Sequence, residues 1–270
     1  MTIIPHLRSV NSYNILYRDG GDPNNKSVIV LLHGIGASSE RWNKVIPILS
    51  KDFYVLAPDI IGFGYSEKPE VSYTIDFFTD FVFEFIKSMN VQNRELTLIG
   101  SSLGGHIAAE FAIKYDILKR LVLVTPAGIH KYATSALNDY ILAAMYPTLE
   151  NAFNAFANMV NNPNTIDIEY VKDFVNRMMM PNAKYAFLAA LMGSKRAANL
   201  KYRVDKIKIK TLVIWGNNDK LLPINEEIKE VLSMISNAKI IIMNDTAHLP
   251  FVEKPNEFCD IVTKFIRCVL

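Results

Sequence analysis

The sequence predicts an α/β fold built on a mostly parallel central sheet flanked by helices, and three observations carry that prediction. Short, β-rich apolar runs alternate with helical stretches, the chain order of repeated βαβ units. The runs are apolar almost throughout rather than at every second residue, as strands covered on both faces must be. One stretch, residues 129–203, breaks the alternation with apolar residues at helical spacing, so an all-helical insertion between two strands is expected.

Taken in order, Tyr13-Asn-Ile-Leu-Tyr17 ends in Asp19-Gly-Gly-Asp-Pro23, a turn-rich cluster that predicts an antiparallel hairpin at the sheet edge. Six strands are then expected: Ser27–Leu32, Phe53–Ala57, Leu96–Ile99, Leu121–Val124, Thr211–Trp215 and Lys239–Met243. Helices are expected over Thr74–Met89, after Ser102, over Asn225–Ile235 and over Pro255–Val269, where Pro255 suits a first turn. The insertion holds six of the ten methionines (Met145, Met159, Met178, Met179, Met180, Met192) and aromatics such as Tyr140, Phe153, Phe156, Phe174 and Phe187. Such side chains are ordinary core; above a sheet they also make an adaptable apolar wall for a ligand. The expected organisation is an α/β core of residues 1–128 and 204–270, interrupted by an all-helical insertion over 129–203 that would sit on it as a lid.

With 270 residues, 50% of them hydrophobic and 21% charged, the chain is not disordered, collagenous or low in complexity. Its net charge of +2 is too small to hold a nucleic-acid backbone without clustering. The densest basic stretch, Lys201-Tyr-Arg203 through Lys210, is interrupted by Asp205 and several Ile and reads as a solvated face. Cys259 and Cys268 show neither C-x-x-C spacing nor a metal cluster, which predicts buried thiols in a reducing compartment. Met1 to Val10 lacks the apolar stretch of a signal peptide, and nothing elsewhere approaches a membrane span. A cytoplasmic monomer or homodimer is expected, with no nucleic-acid partner and no stable membrane association.

The strongest chemical signal is Gly100-Ser101-Ser102-Leu103-Gly104, a G-x-S-x-G between a strand and a helical run. A turn sharp enough to lift a hydroxyl clear of the sheet needs small residues two before and two after it. Only Ser102 is framed in that way, and at a helix N-terminus developing negative charge is favoured. The same pattern also arises in simple turns, so partners decide. A serine needs a base, and the base needs a carboxylate to hold its tautomer. Of five histidines, His248 lies in Asp245-Thr-Ala-His-Leu-Pro250 after the last expected strand, where sites in open α/β sheets form. Asp219, in Gly216-Asn-Asn-Asp-Lys220, is the candidate acid; Asp245, three residues before His248, suits a local turn. In His33-Gly-Ile-Gly36 the glycines let backbone N–H groups face a carbonyl oxygen, so Ile35 and Leu103 are the expected oxyanion donors and His33 a structural hydrogen-bonder. Asp59-Ile-Ile-Gly-Phe-Gly-Tyr-Ser66 has its G-x-G in the wrong place for a dinucleotide fingerprint.

On these five ordered motifs, ending in His248-Leu-Pro-Phe-Val-Glu-Lys-Pro255, the chain resembles the α/β-hydrolase fold superfamily, the serine-hydrolase branch with a helical cap. The resemblance spans nearly the whole chain and implies a triad in the order Ser102, Asp219, His248. Ser102 argues against epoxide hydrolases and haloalkane dehalogenases, which place an aspartate there. Leu103 stands where proline iminopeptidases usually carry a tryptophan. The carbon–carbon bond hydrolases of meta-cleavage pathways are similar in outline, with a cap arginine for which Arg177 is the candidate. They carry a tryptophan where this chain has Leu249, and often an asparagine where it has Ser101. Arg177 reads equally as an exposed helix charge.

The resemblance therefore implies a carboxylic-ester hydrolase acting through an acyl-enzyme on a small-molecule ester, with short to medium acyl or aromatic groups and no cofactor or metal. Gly34, Arg177 and Leu249 are the candidate substrate contacts. A C–C bond hydrolase is the alternative on the same fold. A non-catalytic ligand-binding receptor is the alternative of another class.

Overall fold

A computed structural model describes residues 3–130, 132–197 and 200–269. Its sheet has eight strands: β1 (Pro5–Val10), β2 (Tyr13–Gly20), β3 (Ser27–Leu32), β4 (Tyr54–Pro58), β5 (Glu95–Ser101), β6 (Leu118–Val124), β7 (Lys210–Gly216) and β8 (Ala238–Met243). They lie in the order β1-β2-β4-β3-β5-β6-β7-β8, with only the β1–β2 and β2–β4 pairs antiparallel. The helices are α1 (Ile46–Leu49), α2 (Ile75–Ser88), α3 (Leu103–Lys114), α4 (Ser135–Met145), α5 (Leu149–Ala157), α6 (Ile168–Met178), α7 (Ala183–Arg196), α8 (Glu226–Ser233), α9 (Pro250–Glu253) and α10 (Pro255–Ile266). The mostly parallel sheet flanked by helices is the expected fold class, and the six expected strands occur within a few residues of their expected ends. Between β6 and β7 the described residues form α4 to α7 and short 3-10 turns, with no strand.

Both sheet faces are covered, which explains the continuous apolar runs. In β3, Val28, Val30 and Leu32 pack in one layer with Phe78, Val82 and Phe85 of α2 and Ile107 of α3. Ile29 and Leu31 pack in the other with Trp42 and with Phe258 and Val262 of α10. Burying a large side chain of this kind contributes about 1.5–3 kcal/mol.

Three expectations are corrected. The edge hairpin pairs β2 with the upstream β1 through Asn11 and Ser12, which both adopt positive φ (49° and 69°) and join Val10 to its partner Tyr13. That is the twist-matched two-residue turn of hairpins. Asp19 and Gly20 instead extend β2 against β4. β1 escapes the sequence reading because nearly every residue of it is exposed and its hydrophobic pattern is weak. The last helix stops at Ile266, short of Val269. Only Cys259 is buried; Cys268 is exposed, and a hydrogen bond from Arg120, with the charges of Arg120 and Lys210, pulls its thiol pKa down. The basic stretch is solvated and paired, Lys201 with Glu227 at 2.6 Å and Arg203 with Glu110 at 2.9 Å. Among the described residues no helix is long and apolar enough to cross a membrane.

Strand order places the site. From β3 the chain steps to β4 on one side and then crosses to β5 on the other, so the connections leaving β3 and β5 diverge. The crevice at such a switch point, outside the carboxyl ends of the strands, is where ligands bind in open α/β sheets.

Candidate active site

Ser102 lies at that switch point, between the end of β5 and the start of α3. It adopts φ 55° and ψ −118°, outside the regions a residue with a side chain normally occupies, as a sharp strand-to-helix elbow demands. The framing glycines are required by close approach: a Cβ on Gly100 would stand 2.1 Å from the Gly104 oxygen, and one on Gly104 2.5 Å from the oxygens of Leu32 and His33. The Ser102 carbonyl accepts the N–H groups of Gly105, His106 and Ala127, which fixes the elbow on β6 as well as on α3.

His248 and Asp219 meet as a pair. His248 Nδ1 lies 2.8 Å from Asp219 Oδ2, with both side chains almost fully buried. Asp219 Oδ1 accepts the N–H groups of Leu221 and Leu222, each at 2.9 Å, so the carboxylate is held on both oxygens. Its other oxygen favours the proton on Nδ1 of His248 and leaves Nε2 as the acceptor. That Nε2 is buried without a hydrogen-bond partner among the described residues, and a buried polar atom left over in a native fold calls for a role. The backbone of His248 is pinned from two sides. Its N–H donates to Met159 O at 3.0 Å, and its carbonyl accepts from Thr125 Oγ1 at 3.2 Å.

The loop after β3 supplies the opposite wall. Tyr140 of α4 donates its hydroxyl to Ile35 O at 2.7 Å, and a Cβ on Gly36 (φ 66°) would meet the Phe187 ring at 3.0 Å. Neither the Ile35 nor the Leu103 N–H has an acceptor among the described residues. Gly34 packs against Ser102, its notional Cβ 3.1 Å from the serine Cβ. His33 takes the expected structural part, with Nδ1 2.7 Å from Gly34 O and Nε2 accepting the Ile60 N–H at 2.9 Å. Burial pushes its pKa down to about 4, so it stays neutral.

Ser102, His248, Ile35, Leu103, Gly34 and Leu249 all line one cavity of about 530 Å³. Leu137 and Tyr140 of α4, Leu191 and Ser194 of α7, and Met159 line it too, so the helical stretch furnishes part of the wall. Arg177, expected as a substrate contact or an exposed charge, is neither. It is 2% exposed, lies outside the lining and pairs through Nη1 with Glu40 Oε2 at 3.1 Å. Glu40 lies just beyond the loop after β3 and captures the guanidinium, because a buried cation without a counter-charge would cost several kcal/mol. Asp245 is the expected turn residue, at φ 53°, with Lys254 Nζ 3.8 Å from its carboxylate. Asp59 is a clamp between loops, accepting the N–H groups of Ser39 at 2.6 Å and Tyr65 at 2.7 Å.

Sequence reasoning missed two supporting residues. Glu253 accepts the N–H of Ala247 at 2.7 Å and of Asn161 at 2.6 Å, joining the histidine loop to the helical stretch. Its signal was its place in the run from His248 to Pro255. Arg41, a cation in the cavity lining, carried no signal beyond a charge beside Trp42. Among the described residues no cluster of three or more His, Cys, Asp or Glu could hold a metal ion.

A family profile described as the alpha/beta hydrolase fold matches residues 27–255. The chain is 27% identical to a 2-hydroxy-6-oxo-6-(2'-aminophenyl)hexa-2,4-dienoic acid hydrolase of Metapseudomonas resinovorans, over 88% of this chain and 83% of that protein. It is 24% identical to a monoacylglycerol lipase of Mus musculus, over 95% and 80% respectively. A meta-cleavage product hydrolase from Pseudomonas fluorescens superposes with a TM-score of 0.85 at 23% identity, covering 98% of each chain.

Proposed function

The chain belongs to the α/β-hydrolase fold family, and from that premise we propose that it is a serine hydrolase of carboxylic esters with Ser102, His248 and Asp219 as its triad. The observation that carries the reading is the buried, unpartnered Nε2 of an Asp219-held histidine, on the same cavity as a serine at a strained elbow. His248 takes the Ser102 proton as the hydroxyl attacks the ester carbonyl. Asp219 holds the tautomer and stabilises the imidazolium that forms. The unclaimed N–H groups of Ile35 and Leu103, the latter opening α3, receive the oxyanion. The protonated imidazole then gives its proton to the departing alcohol, and His248 activates the water that hydrolyses the acyl-enzyme. The stretch 129–203 acts as a cap whose Leu137, Tyr140, Met159 and Leu191 limit the substrate to modest size. The names of the relatives support a hydrolase and divide between lipase and C–C hydrolase.

A C–C bond hydrolase is the second reading, favoured by the Metapseudomonas relative. Against it stand Arg177, whose charge is engaged by Glu40, and Leu249 in the cavity wall. Three assays separate the readings. A fluorophosphonate probe is expected to label Ser102, and p-nitrophenyl butyrate to be turned over. Loss of the yellow colour of a ring-cleavage product with no ester turnover overturns the ester reading. Absence of any Ser102 adduct favours a ligand-binding receptor.

A further inference from the structure

Among the described residues, the cavity lining contains two cations, Arg41 and Lys195, and no aspartate or glutamate. Lys195 is exposed at the end of α7, whereas Arg41 is half-buried and fixed, its guanidinium 4.4 Å from the centre of the Phe156 ring and 5.7 Å from that of Tyr170. Stacking uses the face of a guanidinium and leaves its in-plane N–H donors free for an anion. Those donors meet no acceptor among the described residues. The nearest acid in sequence, Glu40, is already committed, with Oε1 2.8 Å from Arg18 and Oε2 3.1 Å from Arg177. One carboxylate therefore answers two of three guanidinium groups, and the one left over, Arg41, faces the cavity that holds Ser102.

We propose that Arg41 anchors an anionic group, a carboxylate or a phosphate, carried by the substrate apart from its scissile bond. The proposal rests on the ester-hydrolase reading for its substrate class, an acidic ester such as the half-ester of a dicarboxylic acid, and deepens it. The apolar lining, Leu137, Met159, Leu221, Leu249 and Phe251, takes the chain between the two ends. Partial burial of the guanidinium strengthens the anion preference, because a neutral group placed there leaves a cation without a partner.

Binding tests this without relying on turnover. The Ser102→Ala protein is titrated by calorimetry with monomethyl glutarate, 2-(butyryloxy)ethyl phosphate and the neutral dimethyl glutarate. The better anionic ester is expected to bind about 10-fold or more tighter than the neutral one, as a charge-assisted pair in a half-buried site implies. Which anionic probe binds more tightly identifies carboxylate or phosphate as the group. In Ser102→Ala/Arg41→Met the preference falls to near unity, and Arg41→Lys, which keeps charge without the fork, recovers part of it. Equal binding of neutral and anionic esters before Arg41 is changed overturns the proposal. So does a preference that disappears with Lys195→Met and survives Arg41→Met. If anionic probes bind preferentially but the wild-type protein hydrolyses none of them, the anion site stands and the ester reading falls. Hydrolysis of all three without preference has the opposite meaning.

Discussion

At the scale of single residues, the proposed chemistry and the backbone strain coincide at Ser102, and each proposed partner can be removed alone. Ser102→Ala is expected to lower kcat by on the order of 10³ or more with little change in the melting temperature, because it removes the proposed nucleophile and no packing. Asp219→Asn presents an amide donor to Nδ1 and turns the histidine to the wrong tautomer, so kcat should fall by on the order of 10³ to 10⁴. Asp245→Asn, in an exposed turn, should leave it near wild type; if the two exchange roles in the assay, the acid has been misassigned. Two other histidines affect stability rather than turnover. Burial lowers the pKa of both His33 and His106 to about 4, far below the usual histidine value. The unfolded chain therefore binds protons that the native state refuses between about pH 6.5 and about pH 4. Stability is full above that window and falls through it by up to about 1.4 kcal/mol per pH unit for each histidine. Urea midpoints measured from pH 7 to pH 4.5 should show the slope, and His106→Gln should reduce it; a slope unchanged in that variant refutes the assignment to His106.

At the scale of elements, the helical stretch and the sheet are joined at the site rather than merely stacked on it. Thr134 caps α4, accepting the Leu137 N–H at 3.1 Å, and donates its hydroxyl to Leu221 O at 2.9 Å in the loop that carries Asp219. Thr134→Val keeps the shape and removes both bonds, at a cost of about 1–2 kcal/mol. Thermal unfolding checks the stability. Since Leu221 N–H also holds Asp219 Oδ1, kcat should fall by a few-fold as well; an unaffected kcat would restrict Thr134 to capping. On the other side of the cavity, Trp42 stacks on Phe251 at 4.0 Å, tying the segment after β3 to α9 directly beyond His248.

For the whole molecule, Glu40 joins Arg18 of β2 to Arg177 of α6, so one carboxylate links the sheet edge to the helical stretch. Glu40→Gln leaves Arg177 buried without a counter-charge and should destabilise the protein by about 3–5 kcal/mol, read as a lowered urea midpoint. A change below about 1 kcal/mol would mean the pair is solvated like a surface bridge. The proposed triad is drawn from segments that lie on both sides of the helical stretch in sequence, so removing either flank would dismantle the proposed site.

The fold class was legible in the chain, and so were Ser102, Asp219 and His248 as the candidate triad, because each depends on local order. Buried strands must be apolar along their whole length, an elbow must have glycines two residues to either side, and turns after strands must carry the polar groups. β1 was illegible for the same reason, its exposed strand having no core face to impress on the sequence. Arg177 and Arg41 could not be told apart by any local rule, since both are helix or turn cations with aromatic neighbours. Their difference lies in where the single carboxylate of Glu40 comes to rest, and that is set by the packing of α6 against the loop after β3. Local patterning thus specified the fold class and the candidate reaction centre, whereas long-range electrostatic pairing, which exists only once distant segments meet, decided which charge faces the cavity.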